Sequence, residues 1–267
     1  MPELPDVENY TRYFKRHALR KTVTGVHVGD RRALAKVSPE TLRKRALGSQ
    51  FSEARRHGKH LLARLSKGGW ITMHFGMTGY LAWFKDGDPD PRYDRVRFDF
   101  GKAGHLAFVD PRLFGRVGLV EDADAFIAQQ RLGPDALDPH FTFERFKEAL
   151  RGRGTLKAVL MDQSRIAGIG NIYADEILFQ ARLHPLTDVR RLTPAQMKAL
   201  YTAMRRVLKV AIAAGAGAEH FTHRLPKSYL LRQREKGGKC PRNHGPLKVI
   251  TAAGRTTYFC PVCQKKA

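Results

Sequence analysis

The chain has 267 residues, and its 48 Lys and Arg residues outnumber its 25 Asp and Glu residues, which gives a formal net charge of +23 at pH 7. Because 42% of the residues are hydrophobic, the chain can build a core, and disorder of the whole chain is excluded. It has no run of about 18 uncharged apolar residues, and its start, MPELPDVENY, has neither a basic leader nor an apolar run. We therefore expect a cytosolic or nucleoid-associated protein. The basic residues are spread along the chain without a polybasic tail, which favours nucleic acid over a membrane surface as the partner.

Residues 1–125 are predicted to form an antiparallel β-sandwich or barrel with a leading helix. Apolar side chains recur at helical spacing over 6–18, which predicts that helix. Short β-branched or aromatic runs follow, separated by Gly, Pro and Asp, and each is predicted to be a strand. The runs are TVTGVHVGD, HLLARLS, GWITMHF, GYLAWF, RVRFDF, HLAFVD and GRVGLV.

From about residue 130 to 222 the apolar pattern changes to helical periodicity. The segments FTFERFKEALR, TLKAVLMDQ, YADEILFQARL and TPAQMKALYTAMRRVLKVAIAAG are predicted helices. Thr193 before Pro194 predicts a capped helix start. The Gly-Ala stretch over 213–218 predicts a helix end and hinge, and 224–239 is predicted to be a basic linker.

The cysteines lie near the carboxyl end and form a metal-ligand pattern with one histidine. Cys240, His244, Cys260 and Cys263 have the spacing Cys-x3-His-x15-Cys-x2-Cys, and KVITAAGRTTYF between the two pairs alternates like two strands around an Ala-Gly turn. Two close ligand pairs beside a hairpin suit one tetrahedral, structural zinc ion. The alternative is three unligated cysteines and a solvated histidine. Arg255, at the predicted hairpin turn, is either a solvent-facing charge or the residue that the hairpin presents to a ligand.

A glycine-rich turn precedes one predicted helix in IAGIGNIYADEIL. Gly168 and Gly170 would leave backbone N–H groups free at the helix start, where they could bind one phosphate. Asn171 would cap the helix or donate to the phosphate itself. The alternative is an ordinary helix-start loop.

Six motifs occur in order along the chain: MPELPDVE, RRHGKHLL, HFGMTG, DPRLFG, GIGNIYADE and the cysteine-rich segment with Arg255 at its turn. Together they closely resemble the formamidopyrimidine-DNA glycosylase / endonuclease VIII family, in particular its formamidopyrimidine branch. The resemblance implies an α+β fold: an N-terminal β-sandwich with a leading helix over 1–125, a helix-two-turn-helix domain over 130–222, and a zinc-ribbon β-hairpin module over 236–267. It also implies that duplex DNA binds in a cleft between the two domains.

The resemblance assigns four catalytic residues. Once Met1 is removed, Pro2 would attack C1′ of the damaged nucleotide through its secondary amine, and Glu3 would exchange protons with the sugar. Lys59 would assist elimination, and Arg255 would assist the second, δ-elimination. A lone lysine in a basic loop is more often a solvated charge, so the role of Lys59 rests mainly on the resemblance.

The resemblance also assigns DNA contacts. Met77, Arg112 and Phe114 match three residues that fill the void left by an extruded base, although Met and Phe are more often core residues. The residues expected to contact the phosphate backbone are His74, Tyr93, Arg153, Lys157 and Asn171.

The resemblance therefore implies a monomeric, bifunctional DNA glycosylase and abasic-site lyase that acts on oxidised bases, with one structural zinc ion and duplex DNA as its partner. The stretch before the zinc ribbon departs from that of 8-oxoguanine-specific members, which leaves the lesion open between oxidised purines and oxidised pyrimidines. A non-catalytic binder of damaged DNA and a zinc-ribbon RNA-binding protein are the alternatives of another class.

Overall fold

The computed structural model describes residues 1–218 and 220–265, which divide into two compact units. The first unit contains Met1–Pro2 and Asp6–Gln130, and the second contains Glu3–Pro5 and Arg131–Ala267. The first is rich in strands and the second in helices, so the predicted α+β class is confirmed. No helix within the described ranges has both the length and the apolar character needed to cross a lipid bilayer.

The first unit is a sandwich of two β-sheets. Its strands are β1 (Gly25–Val28), β2 (Leu34–Ala35), β3 (Phe51–His57), β4 (His60–Leu65), β5 (Trp70–His74), β6 (Tyr80–Phe84), β7 (Asp94–Asp99), β8 (His105–Val109) and β9 (Arg116–Val120). One sheet has the order β1-β7-β8-β6 and the other has the order β2-β9-β5-β4-β3. The pair β2–β9 is parallel, whereas the other pairs of both sheets are antiparallel.

The two sheets share one apolar core, to which the alternating strand residues contribute. Phe98 and Phe108 from one sheet lie in the same buried cluster as Phe51 and Ile71 from the other. The Phe51 and Phe98 rings meet edge to face, with centroids 5.6 Å apart. Each fully buried side chain of this size contributes roughly 1.5–3 kcal/mol, so the core holds the loops at the sheet ends in fixed places.

Helix α1 (Leu4–Ala18) confirms the predicted leading helix, and its Val7 and Phe14 are fully buried. Helices α2 (Pro39–Ala46) and α3 (Ala123–Gln129) were not predicted. Both have side-chain caps, from Ser38 and Asp122 respectively, so the sequence did contain a start signal for each.

The second unit contains four helices in its described part: α4 (Phe143–Ala149), α5 (Leu156–Met161), α6 (Asn171–Gln180) and α7 (Pro194–Ala213). The predicted start of α7 is confirmed by a complete capping box between Thr193 and Gln196. Strands β10 (Lys248–Ala252) and β11 (Arg255–Phe259) form the predicted antiparallel hairpin around Ala253 and Gly254.

The stretch 224–239, which was predicted to be a basic linker, is a packed segment with buried side chains. Tyr229, Leu230 and Leu231 are buried, and a short 3-10 turn spans Leu230–Gln233. The buried carboxylate of Glu176 in α6 accepts a hydrogen bond from the Leu231 N–H at 2.8 Å. Three apolar side chains and this anchor therefore outweigh the charge pattern and fix the segment that leads into the hairpin.

Glu176→Gln is expected to reduce the pH dependence of stability between about pH 4.5 and pH 7. Burial raises the pKa of Glu176 from its ordinary 4.5 to about 7. The unfolded chain loses this proton at lower pH than the folded chain. The contribution of protonated Glu176 to the free energy of unfolding is therefore fully present below pH 4.5 and is lost as the pH rises through 7. In thermal unfolding experiments, the loss of stability between pH 5 and pH 8 should be larger for the wild type than for the variant. The exposed Glu53→Gln is the control, and equal losses in wild type and Glu176→Gln would contradict the prediction.

Candidate active site

The amino-terminal segment is fixed to the start of α6 within the second unit. The Leu4 N–H donates to the carbonyl oxygen of Gly168 at 3.0 Å. Glu3 is only 1% exposed, and its carboxylate accepts from the N–H groups of Gly170 at 2.8 Å, Ile172 at 2.9 Å and Tyr173 at 3.3 Å. A carboxylate here lies where the helix dipole favours negative charge. Glu3 is thus held in one orientation directly after Pro2.

This arrangement corrects the expectation that the glycine-rich turn leaves its N–H groups free for a phosphate. The donors of Gly170, Ile172 and Tyr173 bind Glu3, and the Gly168 N–H donates to Gln163 Oε1 at 3.0 Å. The physical reason is that an internal carboxylate occupies the helix start. Because Glu3 and Gly170 are 167 residues apart, no local pattern could reveal the contact.

Asn171 does not cap α6 through its side chain. The cap position is Gly170, which makes no side-chain cap bond, and Asn171 is the first helical residue. Its Nδ2 donates to the carbonyl oxygen of Thr256 in the hairpin at 3.1 Å. Asn171 therefore connects the helix start to the hairpin that carries Arg255.

Gly170→Ala is expected to impair catalysis far more than folding. A Cβ at this position would lie 2.4 Å from Glu3 Cδ, so the carboxylate must move away from its donors. Displacing a reacting group by about 1 Å can cost about 100-fold in rate, whereas the side chain of Glu3 can shift without disturbing the core. Strand cleavage of abasic DNA and thermal unfolding should be measured together. Cleavage within twofold of the wild type would contradict the assigned role of Glu3.

Lys59 occupies a tight turn between β3 and β4. His57 pairs with His60 across this turn, and Gly58 supplies the positive φ of 55° that a two-residue hairpin needs. Lys59 is 8% exposed, which excludes the solvated-charge explanation. The turn therefore holds the lysine against the first unit.

The three void-filling candidates lie on two adjoining loops of the first unit. Met77 is 43% exposed and Phe114 is 51% exposed, which rules out the core alternative for both. The Arg112 guanidinium lies over the Phe114 ring at 5.0 Å. A Cβ on Gly76, whose φ is +57°, would lie 2.3 Å from the Phe114 backbone, so this glycine permits the close approach of the two loops.

Asp110 organises both loops, and the sequence analysis did not identify it. It is fully buried and accepts from Thr78 Oγ1 at 2.7 Å, from the Arg112 N–H at 3.2 Å and from the Gly115 N–H at 2.6 Å. The signal available in the sequence is the Asp-Pro pair that opens DPRLFG, since Asp before Pro favours a turn. Asp110 thereby fixes the backbone from which Met77 and Phe114 project.

His74 also supports this region. Its Nδ1 accepts the Gly76 N–H at 3.2 Å, which places the proton of the neutral ring on Nε2. Burial lowers the pKa of His74, and burial lowers that of its neighbour His60 to about 3. Both rings, whose centroids are 5.0 Å apart, are therefore neutral at pH 7.

Tyr93 and Arg153, two of the expected phosphate contacts, are exposed. Tyr93 has a positive φ of 68°, and the guanidinium groups of Arg92 and Arg95 lie 4.7 and 5.2 Å from its ring centre. Arg153 lies in a loop between Gly152 and Gly154.

Lys157 does not fit the expected phosphate contact. Its side chain is 0% exposed, and its Nζ donates to Asp175 Oδ1 at 2.5 Å and to the carbonyl oxygen of Asn171 at 2.7 Å. Burial lowers the pKa of Lys157, and the Asp175 carboxylate opposes that shift. The physical reason for the correction is this internal counter-ion, which keeps the ammonium inside the second unit.

The four predicted metal ligands lie together at the base of the hairpin. Their ligand atoms are all within 4.8 Å of one another. Cys240 Sγ lies 3.8 Å from Cys263 Sγ and 4.0 Å from His244 Nδ1. A tetrahedral zinc ion with bonds of about 2.3 Å separates its sulfur ligands by about 3.8 Å, so the donor set and spacing fit zinc.

The hairpin presents Arg255 at its tip. The turn residues Ala253 and Gly254 have φ values of 51° and 68°, and Arg255 pairs with Ala252 across the ladder. Arg255 is exposed, and its guanidinium has no hydrogen bond or ion pair to any residue of the described ranges. It is therefore available to an external anion.

Comparison with known proteins identifies the family. The formamidopyrimidine-DNA glycosylase N-terminal domain matches residues 1–117, and the formamidopyrimidine-DNA glycosylase H2TH domain matches residues 132–223. The formamidopyrimidine-DNA glycosylase of Protochlamydia amoebophila is 35% identical over 279 residues, with 100% of both chains covered. That of Carboxydothermus hydrogenoformans is 36% identical over 276 residues, with 99% of this chain and 100% of the relative covered.

Solved structures agree with these matches. The chain is 28% identical to Lactococcus lactis formamidopyrimidine-DNA glycosylase bound non-covalently to DNA that contains an abasic site, with a TM-score of 0.88. The match covers 99% of this chain and 100% of that one. The chain belongs to the formamidopyrimidine-DNA glycosylase family, whose members are DNA glycosylases of base excision repair.

Proposed function

We propose that this protein is a bifunctional DNA glycosylase and abasic-site lyase that removes oxidised bases of the formamidopyrimidine or oxidised purine type from duplex DNA. The observation that carries the proposal is the buried Glu3 carboxylate, held by three N–H donors directly after Pro2. A fixed carboxylate adjacent to a secondary amine is a proton-transfer partner beside a nucleophile. A Lactococcus lactis relative whose solved complex contains a formamidopyrimidine nucleotide supports the lesion class.

The reaction begins when removal of Met1 frees the Pro2 nitrogen. That nitrogen forms a bond to C1′, the glycosidic bond breaks, and the base leaves with its electron pair and a proton. Opening of the sugar, with Glu3 exchanging the protons, gives an iminium ion between Pro2 and C1′. Because the nitrogen is secondary, the iminium is always charged and acidifies the protons on C2′.

Strand cleavage follows by two eliminations. Loss of a C2′ proton breaks the C3′–O bond and releases the 3′-phosphate, and in a second elimination loss of the C4′ proton breaks the C5′–O bond and releases the 5′-phosphate. We assign assistance of the first step to Lys59 and of the second to Arg255, since an exposed guanidinium can bind the departing phosphate. Water then hydrolyses the iminium and regenerates Pro2.

Access to C1′ requires extrusion of the nucleotide, which costs a few kcal/mol in lost stacking and pairing. Met77 and Phe114 are exposed apolar groups that fill the void, and Arg112 beside Phe114 supplies a cation for the orphaned base. His74, Tyr93, Arg153 and Asn171 are proposed contacts to the backbone. To contact a phosphate, Asn171 must either use the second N–H of its Nδ2 group or give up its bond to the Thr256 carbonyl oxygen.

The cluster of Cys240, His244, Cys260 and Cys263 is proposed to hold one zinc ion. With four protein ligands the site is closed and structural, and its function is to fold the hairpin that carries Arg255. The working form is proposed to be a monomer in the bacterial cytosol, bound to duplex DNA that carries a damaged base or an abasic site.

Arg255→Gln is expected to change the products of strand cleavage. Without the guanidinium, the second elimination slows, whereas base removal and the first elimination continue at Pro2. A labelled abasic duplex should accumulate fragments that end in an unsaturated aldehyde instead of a phosphate. The exposed Lys248→Gln on the same hairpin is the control, and an unchanged product pattern in Arg255→Gln would contradict the assignment.

The lesion class is tested with a panel of single-lesion duplexes that contain a formamidopyrimidine, 8-oxoguanine, an oxidised pyrimidine or a plain abasic site. We expect the highest kcat/KM among the modified bases for the formamidopyrimidine or 8-oxoguanine substrate. A preference for the oxidised pyrimidine would overturn the substrate class, and binding without any cleavage would favour a non-catalytic damage-binding protein.

A further inference from the structure

A buried charged cluster joins helix α6 to the hairpin, and none of the sequence motifs indicated it. The side chain of Asp175, the fifth residue of α6, is 0% exposed. Its Oδ1 accepts from Lys157 Nζ at 2.5 Å. Its Oδ2 accepts from Arg234 Nε at 2.9 Å and from the Tyr258 N–H at 3.2 Å.

Arg234 extends this cluster along β11. Its Nη2 donates to the carbonyl oxygen of Thr256 at 3.2 Å, and its guanidinium lies 5.0 Å from the centre of the Tyr258 ring. Thr256 and Tyr258 follow Arg255 by one and three residues. The cluster therefore holds the backbone that immediately follows the hairpin tip.

The same cluster is connected to the Glu3 site within the second unit. Lys157 binds the carbonyl oxygen of Asn171, and the Asn171 side chain binds the Thr256 oxygen that Arg234 also binds. Asn171 is followed by Ile172, whose N–H holds Glu3. Two hydrogen bonds thus connect the carboxylate of Glu3, through Ile172 and Asn171, to the strand that begins with Arg255.

Such a cluster is poorly explained by stability alone. Burying a carboxylate between two cations costs a large desolvation free energy, which the attraction between the charges roughly offsets. Apolar groups of equal volume often stabilise a fold as much as such a cluster does. A two-stranded hairpin, by contrast, is marginally stable by itself and needs an external support to place a side chain accurately. The planar guanidinium of Arg234 donates both to the Asp175 carboxylate and to the Thr256 carbonyl oxygen, and it therefore supports the hairpin in one register.

We propose that Asp175, Arg234 and Lys157 form a positioning cluster that fixes the Arg255 hairpin relative to the start of α6 and so determines how far cleavage continues from the first to the second elimination. These are positioning residues, because they act through Arg255 and through the backbone at Asn171. The inference rests on the proposed lyase function and on the role of Arg255 in it.

Arg234→Gln is the main test, since Asp175 keeps Lys157 as its counter-ion and the fold is preserved. Arg232→Gln is the matched control: Arg232 lies two residues away and donates to the carbonyl oxygens of His223 and Leu225, not to the hairpin. Asp175→Asn is the second variant and removes the support for both Arg234 and Tyr258.

The measured quantity is the ratio of second- to first-elimination product on a labelled abasic duplex, together with the yield of borohydride-trapped adduct. We expect Arg234→Gln and Asp175→Asn to lower the ratio about tenfold, as misplacement of a reacting group does. Arg234→Gln should keep the trapped yield. The control Arg232→Gln should keep both the trapped yield and the ratio. A ratio within twofold of the wild type in Arg234→Gln would overturn the inference.

An equal loss of both products in Arg234→Gln would also overturn it, because that outcome assigns the cluster to folding only. Failure of the proposed function is distinguished by the wild type. If the wild type forms no adduct and no cleavage product, the lyase function falls together with the inference. If the wild type forms both products and only the variant ratio is unaltered, the inference alone fails.

Discussion

Pro2→Gly is expected to reduce strand cleavage of an abasic duplex by roughly 100-fold while DNA binding is largely retained. Glycine leaves a primary amine on a more flexible backbone, so the nucleophile is held less firmly and its imine must gain a proton before it can draw electrons. Single-turnover cleavage measures the loss. Affinity for a duplex that contains an uncleavable tetrahydrofuran abasic analogue measures the binding.

Two controls make this result specific. Intact mass spectrometry must show that Met1 is absent from both the wild type and the variant, since retained Met1 would block the amine in either. Glu3→Gln removes the neighbouring carboxylate and keeps Pro2, so it should also bind DNA and should lose cleavage by about 10²–10⁴-fold. If Pro2→Gly cleaves at the wild-type rate, the nucleophile lies elsewhere.

Loss of the proposed zinc ion is expected to have the second large effect. Structural zinc contributes roughly 10–16 kcal/mol of binding free energy to small metal-folded modules, and the hairpin has few buried side chains of its own, among them Ala252, Thr257 and Phe259. Cys260→Ser should therefore unfold β10 and β11, abolish the second elimination and weaken DNA binding. Zinc content, product analysis and amide hydrogen exchange of the hairpin measure these changes.

His244→Cys is the matched control for the metal site. It replaces the imidazole with a thiolate, which preserves a tetrahedral four-ligand site and changes its charge by one unit. Zinc content and both elimination products should be retained in this variant. A Cys260→Ser protein with wild-type products and an ordered hairpin would contradict a structural role for the metal.

Much of the fold could be predicted because its signals are local. Alternating apolar residues indicated the strands of the sandwich, and Thr193 before Pro194 indicated the start of α7. Ser38 before Pro39 is the same signal and marks α2, which the strand-rich surroundings obscured. The metal ligands were predictable because coordination imposes a fixed spacing along the chain.

The site could be predicted only as a set of residue types. Glu3 was identified as an acid–base group, yet its anchoring by N–H groups 167 to 170 residues away has no local pattern. Lys157 was expected to bind phosphate because it falls where members of the family contact the DNA backbone, and only its proximity to Asp175 explains the burial. Arg234 was missed for the same reason, since its partner Asp175 lies 59 residues away in another element.

Borohydride trapping on an abasic duplex, followed by peptide mapping of the adduct, tests the central claim most directly. Reduction of the iminium makes the bond between protein and C1′ permanent, so the modified residue can be identified. We expect one adduct, located on the amino-terminal nitrogen of a chain that begins with Pro2. An adduct on Lys59 or another lysine, or no adduct from a protein that cleaves the duplex, would contradict it.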